Sequence, residues 1–151
     1  MISTLALAAV AQWSIYTNVR FGYSVCYPPS VLQAQEEADN GDGRKFLGGK
    51  GATLLAFGQW NSESVSLAAW TERQAKFYAG KHGKITYRAG RGGWQVISGT
   101  NGAGSEFYIK AMTRDDAFVT FQMEYQTAEA AKYRPIVQRL SRCFAWTSPP
   151  R

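Results

Sequence analysis

Phe118-Val-Thr-Phe-Gln-Met-Glu-Tyr125 alternates with period two: Val119, Phe121, Met123 and Tyr125 fall on one face of an extended chain, and Thr120, Gln122 and Glu124 on the other. It predicts the last strand of an antiparallel meander. Upstream, residues 106–112, 94–98 and 85–88 read as three more strands, set apart by Arg114-Asp-Asp116, Gly99-Thr-Asn-Gly-Ala-Gly104 and Gly90-Arg-Gly-Gly93. Residues 52–57 and 44–47 read as a hairpin turned by Gly48, Gly49 and Gly51. Residues 16–20 lead into 21–27, where Pro28-Pro29 ends pairing because proline has no N–H to donate. Two stretches carry helical spacing instead. Leu67, Trp70, Gln74, Phe77, Tyr78 and Lys81 mark a helix over about 66–80, capped by Ser64 or Ser66 and ended by Gly80 or Gly83. Ala130, Tyr133, Val137, Leu140 and Phe144 line a second helix, from Thr127 or Ala128 to Cys143, with a kink or restart expected at Pro135.

The chain has 151 residues, 45% hydrophobic and 19% charged, which predicts one globular domain able to bury its own core. The expected division is a signal-peptide remnant at 1–11, a single α+β domain at 12–146 and a flexible tail at 147–151. Met1 to Ala11 (MISTLALAAVA) is apolar and ends in Ala-Val-Ala, a pattern that signal peptidases cut, but it lacks a basic leading region. An ordinary N-terminal helix is the alternative. No stretch reaches the roughly 20 apolar residues that a spanning helix needs. The two cysteines, Cys26 and Cys143, sit near opposite ends of the domain. Paired, they imply an oxidising compartment, periplasmic or secreted, and add on the order of 4–5 kcal/mol in the chain-entropy picture. Unpaired, they are two buried thiols of a cytosolic protein. Pairing would also set the last helix over the Cys26 face of the sheet and leave the Trp70 helix for the other face.

The opening Tyr16-x-Asn-x-Arg-Phe-Gly-Tyr-Ser-Val-Cys-Tyr-Pro28 resembles the start of Mog1/PsbP-like proteins, in which an aromatic-glycine strand runs into Tyr-Pro. The order of hairpin, helix, meander and terminal helix is similar to theirs as well. The resemblance implies an antiparallel sheet flanked by helices on both faces, an α/β/α sandwich used for accessory and partner-binding roles. It carries over no catalytic residues.

Candidate chemistry is sparse. His82, the single histidine, lies in Gly80-Lys-His-Gly83 at a helix exit, where a basic group near the last carbonyls is expected structurally. One histidine and two distant cysteines make no zinc site, so no metal and no cofactor are expected. Asp39-Asn-Gly-Asp-Gly43 fails the calcium-loop pattern, with Gly41 at the third position and Lys50 at the twelfth, and reads as a turn with left-handed glycines. Gly43 to Lys50 lacks the Ser/Thr and the helix of a phosphate loop. Glu106 and Glu124, on neighbouring strands, and Asp115-Asp116 are the carboxylates a hydrolase would use, with Lys110 and Arg114 as competing ion-pair partners for the two glutamates.

Three functions follow in order. The first is a non-enzymatic exported protein-binding module, in its sharper form an immunity-type inhibitor of a secreted toxin, with Trp60, Arg88, Arg91 and Trp94 as contact residues. The second is polyanion or anionic envelope-surface binding through Arg73, Lys76, Lys81 and Lys84, suggested by the net charge of +6 and the basic 73–91 region. The third is a small hydrolase using a carboxylate pair. Specific nucleic-acid binding is not expected.

Overall fold

A computed structural model describes residues 12–147 and Pro149; the reading of 1–11 as a signal remnant lies outside the described residues. Among the described residues, ten strands and two α-helices follow in the order β1 (Ser14–Asn18), β2 (Tyr23–Tyr27), β3 (Gln33–Glu37), β4 (Gly43–Leu47), β5 (Thr53–Trp60), α1 (Leu67–Ala79), β6 (Lys84–Arg91), β7 (Trp94–Thr100), β8 (Ser105–Arg114), β9 (Ala117–Gln126), α2 (Ala130–Cys143) and β10 (Ala145–Trp146). Seven strands form one antiparallel sheet in the order β3-β4-β5-β9-β8-β7-β6, and β1-β2-β10 form a second, three-stranded sheet.

The alternating stretch of β9 is the middle strand of the large sheet, and its two sets of side chains meet different partners. Phe118 packs with Leu67 and Trp70 of α1, its ring stacked on Trp70 with centroids 4.9 Å apart. Gln122 accepts from the Tyr78 hydroxyl (2.9 Å) and donates to Gln74 (3.0 Å). Val119, Phe121, Met123 and Tyr125 join Tyr133, Val137 and Leu140 of α2 and Tyr16, Tyr23 and Val25 of the small sheet in the main core cluster. Burial on both sides makes β9 almost wholly inaccessible.

Helix α1 starts where Ser66 Oγ accepts from the Ala69 N–H (3.1 Å) and stops at Gly80, whose φ of 62° is open to glycine at little cost. Helix α2 follows a 3-10 turn over Thr127–Glu129 and runs through Pro135 to Cys143. The backbone irregularity is at Glu129 (φ −101°, ψ 13°), at the junction with that turn and ahead of the proline.

Several expectations change. Cys26 lies on β2 of the small sheet, so its disulfide to Cys143 (Cα–Cα 5.8 Å) ties that sheet, not the large one, to the end of α2. Residues 16–27 are a hairpin of two strands around an Asn18–Tyr23 turn. The acidic residues Glu36 and Glu37 belong to β3, a strand whose polar composition hid it. In the 39–43 turn only Gly41 is left-handed (φ 73°); Gly43 instead lets β4 approach β5, since a Cβ there would lie 2.0 Å from the Ala56 carbonyl. Within the tail, the Thr147 N–H donates to the Gly22 carbonyl (2.9 Å), which anchors its first residue.

The disulfide bridges a separation of 117 residues. Replacing both cysteines with alanine is expected to cost about 4 kcal/mol. That corresponds to a thermal midpoint about 10 °C lower. Calorimetry of the oxidised protein against the double variant measures this, and equal midpoints would refute it.

Candidate partner-binding surface

One end of the large sheet concentrates aromatic and basic side chains. Across the ladder Trp60 stands opposite Ala117, which stands opposite Arg114; one step inward, Gly58, Val119, Met112 and Trp94 form the parallel row. Trp60 and Trp94 therefore share a face and an end of the sheet, three strand spacings or roughly 14 Å apart. Arg91 pairs with Trp94 across the β6–β7 turn and lies on that face too.

The β1–β2 hairpin reaches over this end, held by buried polar contacts. Asn18 is fully buried; its Oδ1 accepts from the Phe21 N–H (2.8 Å) and its Nδ2 donates to the Gly41 carbonyl (2.7 Å) and the Tyr16 hydroxyl (3.0 Å). Arg20 donates to the Asn40 carbonyl (2.6 Å) and pairs with Asp42 (2.5 Å), so the acidic 39–43 turn is a clamp for the hairpin. Tyr16 in turn donates to Glu37 (2.7 Å), and burial first, with Glu37 adding to it, pushes its hydroxyl up to about 12.

This clamp lowers Phe21 onto Gly58, where a Cβ would sit 2.2 Å from the ring. The Phe21 ring lies 5.1 Å from that of Trp60, and Trp60 is 51% exposed beside Val19 at 91%. Strand β10 adds Trp146, with the Arg114 guanidinium 4.3 Å above its ring. Phe21, Trp60, Arg114 and Trp146 surround a depression of about 120 Å³. Further along, Lys110 donates to the Ser141 carbonyl (2.6 Å), lies 5.8 Å from the Trp94 ring centroid, and has its pKa lowered by burial. Rigid aromatic rings alternating with cations suit contact with another protein.

The structure thus brings together Trp60, Arg91 and Trp94 but not Arg88. Arg88 pairs in register with Ile97 on the α1 side and forms an ion pair with Glu72 (2.6 Å), which holds the Glu72 carboxyl below its usual value. Val19, Phe21 and Arg20 were missed; the tetrapeptide Val19-Arg-Phe-Gly22, ending in a left-handed glycine (φ 70°), is the signal of a hairpin tip. Tyr108, by contrast, is held under α2 by a hydrogen bond to Ser141 (3.1 Å).

In the basic set, Arg73 is paired bidentately with Glu63 (3.1–3.2 Å). Lys76 and Lys81 stand exposed near Phe77, itself 83% exposed, whereas Lys84 lies on β6 opposite Thr100. His82 is exposed just past α1.

The carboxylate pair does not assemble. Glu106 stands opposite Tyr125 and Glu124 opposite Phe107, so the two acids occupy opposite faces of the sheet. Glu106 takes Arg134 (2.5 Å) and the Tyr125 hydroxyl (2.7 Å) rather than Lys110 or Arg114. Burial alone would raise its pKa, but the hydrogen bonds from Arg134 and Tyr125 outweigh it and leave the carboxyl low. Burial raises Glu124. Asp115 and Asp116 occupy the β8–β9 turn, both at positive φ. Among the described residues, no group of three or more His, Cys, Asp or Glu side chains could hold a metal ion.

No family model matches the chain, and no curated protein matches it in sequence. Its fold does have a counterpart. The solution structure of cyanobacterial PsbP (CyanoP) from Synechocystis sp. PCC 6803 superposes with a TM-score of 0.62 over 96% of this chain and 98% of that one, at 10% identity. The fold is PsbP-like. At that identity the likeness to CyanoP concerns architecture alone. The Tyr16–Pro28 opening had pointed to the same PsbP-like fold.

Two outcomes follow. Gly58→Ala is expected to destabilise by about 1–3 kcal/mol through overpacking, and to shift tryptophan emission as Phe21 and Trp60 separate; an unchanged spectrum would refute the contact. Glu106 has a folded pKa below its unfolded one, so its pairing stabilises the fold above the unfolded value and is lost as pH falls through the folded value. The stability difference between the wild type and Arg134→Ala is therefore expected to shrink from about pH 6 to about pH 3. A pH-independent difference in denaturant melts would exclude the ion pair as its source.

Proposed function

We propose that this protein is a non-enzymatic, exported protein-binding module on an α/β/α-layered PsbP-like scaffold, and that its partner seats on the Trp60–Trp94 end of the sheet. The observation that carries this is the row of exposed Val19 and Trp60 with half-buried Trp146 and Trp94, interleaved with Arg114 and Arg91 and held by a buried asparagine and a disulfide-tied small sheet. A rigid surface spends less free energy on ordering when it binds. The disulfide supports a periplasmic or secreted location, because such bonds persist in oxidising compartments. No helix among the described residues is long and apolar enough to cross a membrane.

A second reading has one observation in its favour. Phe77, exposed beside Lys76 and Lys81, is the arrangement by which a helix rests on an anionic surface. Salt separates the two, because contacts between exposed charges weaken as the Debye length shrinks.

The test is affinity capture by the oxidised protein from envelope and secreted extracts, washed at moderate and high salt. One stoichiometric partner surviving high salt is expected, and Trp60→Ala, Trp94→Ala and Arg91→Ala should each weaken it by more than about 1 kcal/mol, or roughly fivefold. The partner's own activity then distinguishes an accessory subunit from an inhibitor of a secreted toxin. Recovery of only salt-labile lipid or polyanion, lost on charge reversal at Lys76 and Lys81, would overturn the reading in favour of the second.

A further inference from the structure

The large sheet has two edges of different character. At one, β3 is short, its register is broken between Ala34 and Glu37, and it carries Glu36 and Glu37. At the other, β6 spans Lys84–Arg91, carries three cations and no acid, and pairs, among the described residues, only with β7. Its register shifts between Ile85 and Tyr87, and from Tyr87 to Arg91 the pairing is regular. Among the described residues no strand receives the outward backbone groups along that stretch, which makes it a template for an added strand.

A groove of about 290 Å³ adjoins the Thr86 end of this edge on the α2 side. Thr86 forms its near wall, Ser98, Thr100 and Tyr108 lie within it, and Arg134 and Gln138 of α2 form the far wall. Register puts Lys84 and Arg91 on the same face of β6 as the groove, opposite Thr100 and Trp94, with Tyr87 between them, 54% exposed. Neither Lys84 nor Arg91 has an ion-pair partner among the described residues, whereas Arg88, on the other face, is neutralised by Glu72. The acid in the groove wall, Glu106, is already taken by Arg134 and Tyr125. The edge and groove together therefore present uncompensated positive charge beside unpaired backbone. The groove lies at the Lys84 end of β6, opposite Thr100, whereas Arg91, opposite Trp94 at the other end of the strand, belongs to the partner-binding end of the sheet.

We propose that β6 and its groove bind an extended acidic segment of the partner by strand addition. The segment's backbone continues the β7–β6 ladder, alternate side chains enter the groove, and its carboxylates meet Lys84 and Arg91. This rests on the protein-binding reading and names its mode and the chemistry of its partner.

The test is an NMR titration of the full oxidised protein with a short capped peptide of alternating Glu and Val, using its Lys counterpart as control. Saturable shifts confined to β6 and the groove are expected, with slowed amide exchange along 87–91. The Lys84→Gln/Arg91→Gln and Lys84→Glu/Arg91→Glu variants, at exposed positions, should weaken binding by about tenfold or more. Shifts on Lys76 and Lys81 instead, equal binding of the Lys peptide, or no saturation at millimolar peptide would overturn the proposal. So would concentration-dependent association without peptide that Glu36→Lys/Glu37→Lys abolishes, because the β6 occupant would then be β3 of a second copy. A captured partner that needs Trp60 yet binds Lys84→Glu/Arg91→Glu normally would sink strand addition and leave the protein-binding reading intact.

Discussion

The structure depends on β9 being buried on both sides. A strand in that position must satisfy two different neighbours with one alternating sequence, and Phe118-Val-Thr-Phe-Gln-Met-Glu-Tyr125 does so. Its large apolar set, Val119, Phe121, Met123 and Tyr125, enters the core shared with α2 and the small sheet. The other set is mixed: Phe118 stacks on Trp70, and Gln122 completes its side-chain hydrogen bonds with Tyr78 and Gln74. Buried polar groups cost free energy unless paired, so Gln122 fixes how α1 sits as well as filling space. A slip of one residue in β9 would exchange the two sets and leave both layers without partners.

The small sheet extends this core and supplies the exposed surface. Its strands bury Tyr16, Tyr23 and Val25 against the large sheet, while Cys26 on the opposite side of β2 reaches Cys143. The covalent tie secures the open end of the hairpin to α2, and Asn18, Arg20 and the 39–43 turn secure its tip. With both ends fixed, Phe21 has one place to go, the bare backbone of Gly58, and Trp60 rests beside it. The turn that looks like an incomplete calcium loop therefore has a mechanical use: its carbonyls and the Asp42 carboxylate receive the hairpin's polar side chains.

Charge is partitioned by the same architecture. The formal excess of +6 is not a single basic face, because Arg73 and Arg88 are consumed by Glu63 and Glu72 on the α1 side. What remains is spread over the exposed lysines around Phe77, the β6 edge, Lys45 of β4, and Lys132, Arg139 and Arg142 of α2. Exposed pairs of this kind contribute little to stability. Their larger effect is to decide which cations remain open to a partner.

Strands 43–60 and 84–126, both helices, the caps of α1 and the α+β class were legible in the sequence, because period-two and period-3.6 patterns are local and Ser66, Gly80 and the turn glycines mark their ends chemically. The resemblance at Tyr16–Pro28 pointed to the PsbP-like fold, though not to a second sheet. Strand β3 was illegible because Gln33-Ala-Gln-Glu-Glu37 has no apolar alternation, and β10 because two residues carry no period at all. Of the site, composition drew attention to Trp60, Arg91 and Trp94, but their common face follows from ladder registers between strands far apart in the chain. Arg88 and the Glu106–Glu124 pair were misplaced for the same reason: an odd or even step across a strand pair decides the face, and only the register fixes that step. Local spacing determined which residues could be strand or helix. Long-range pairing decided which of them meet.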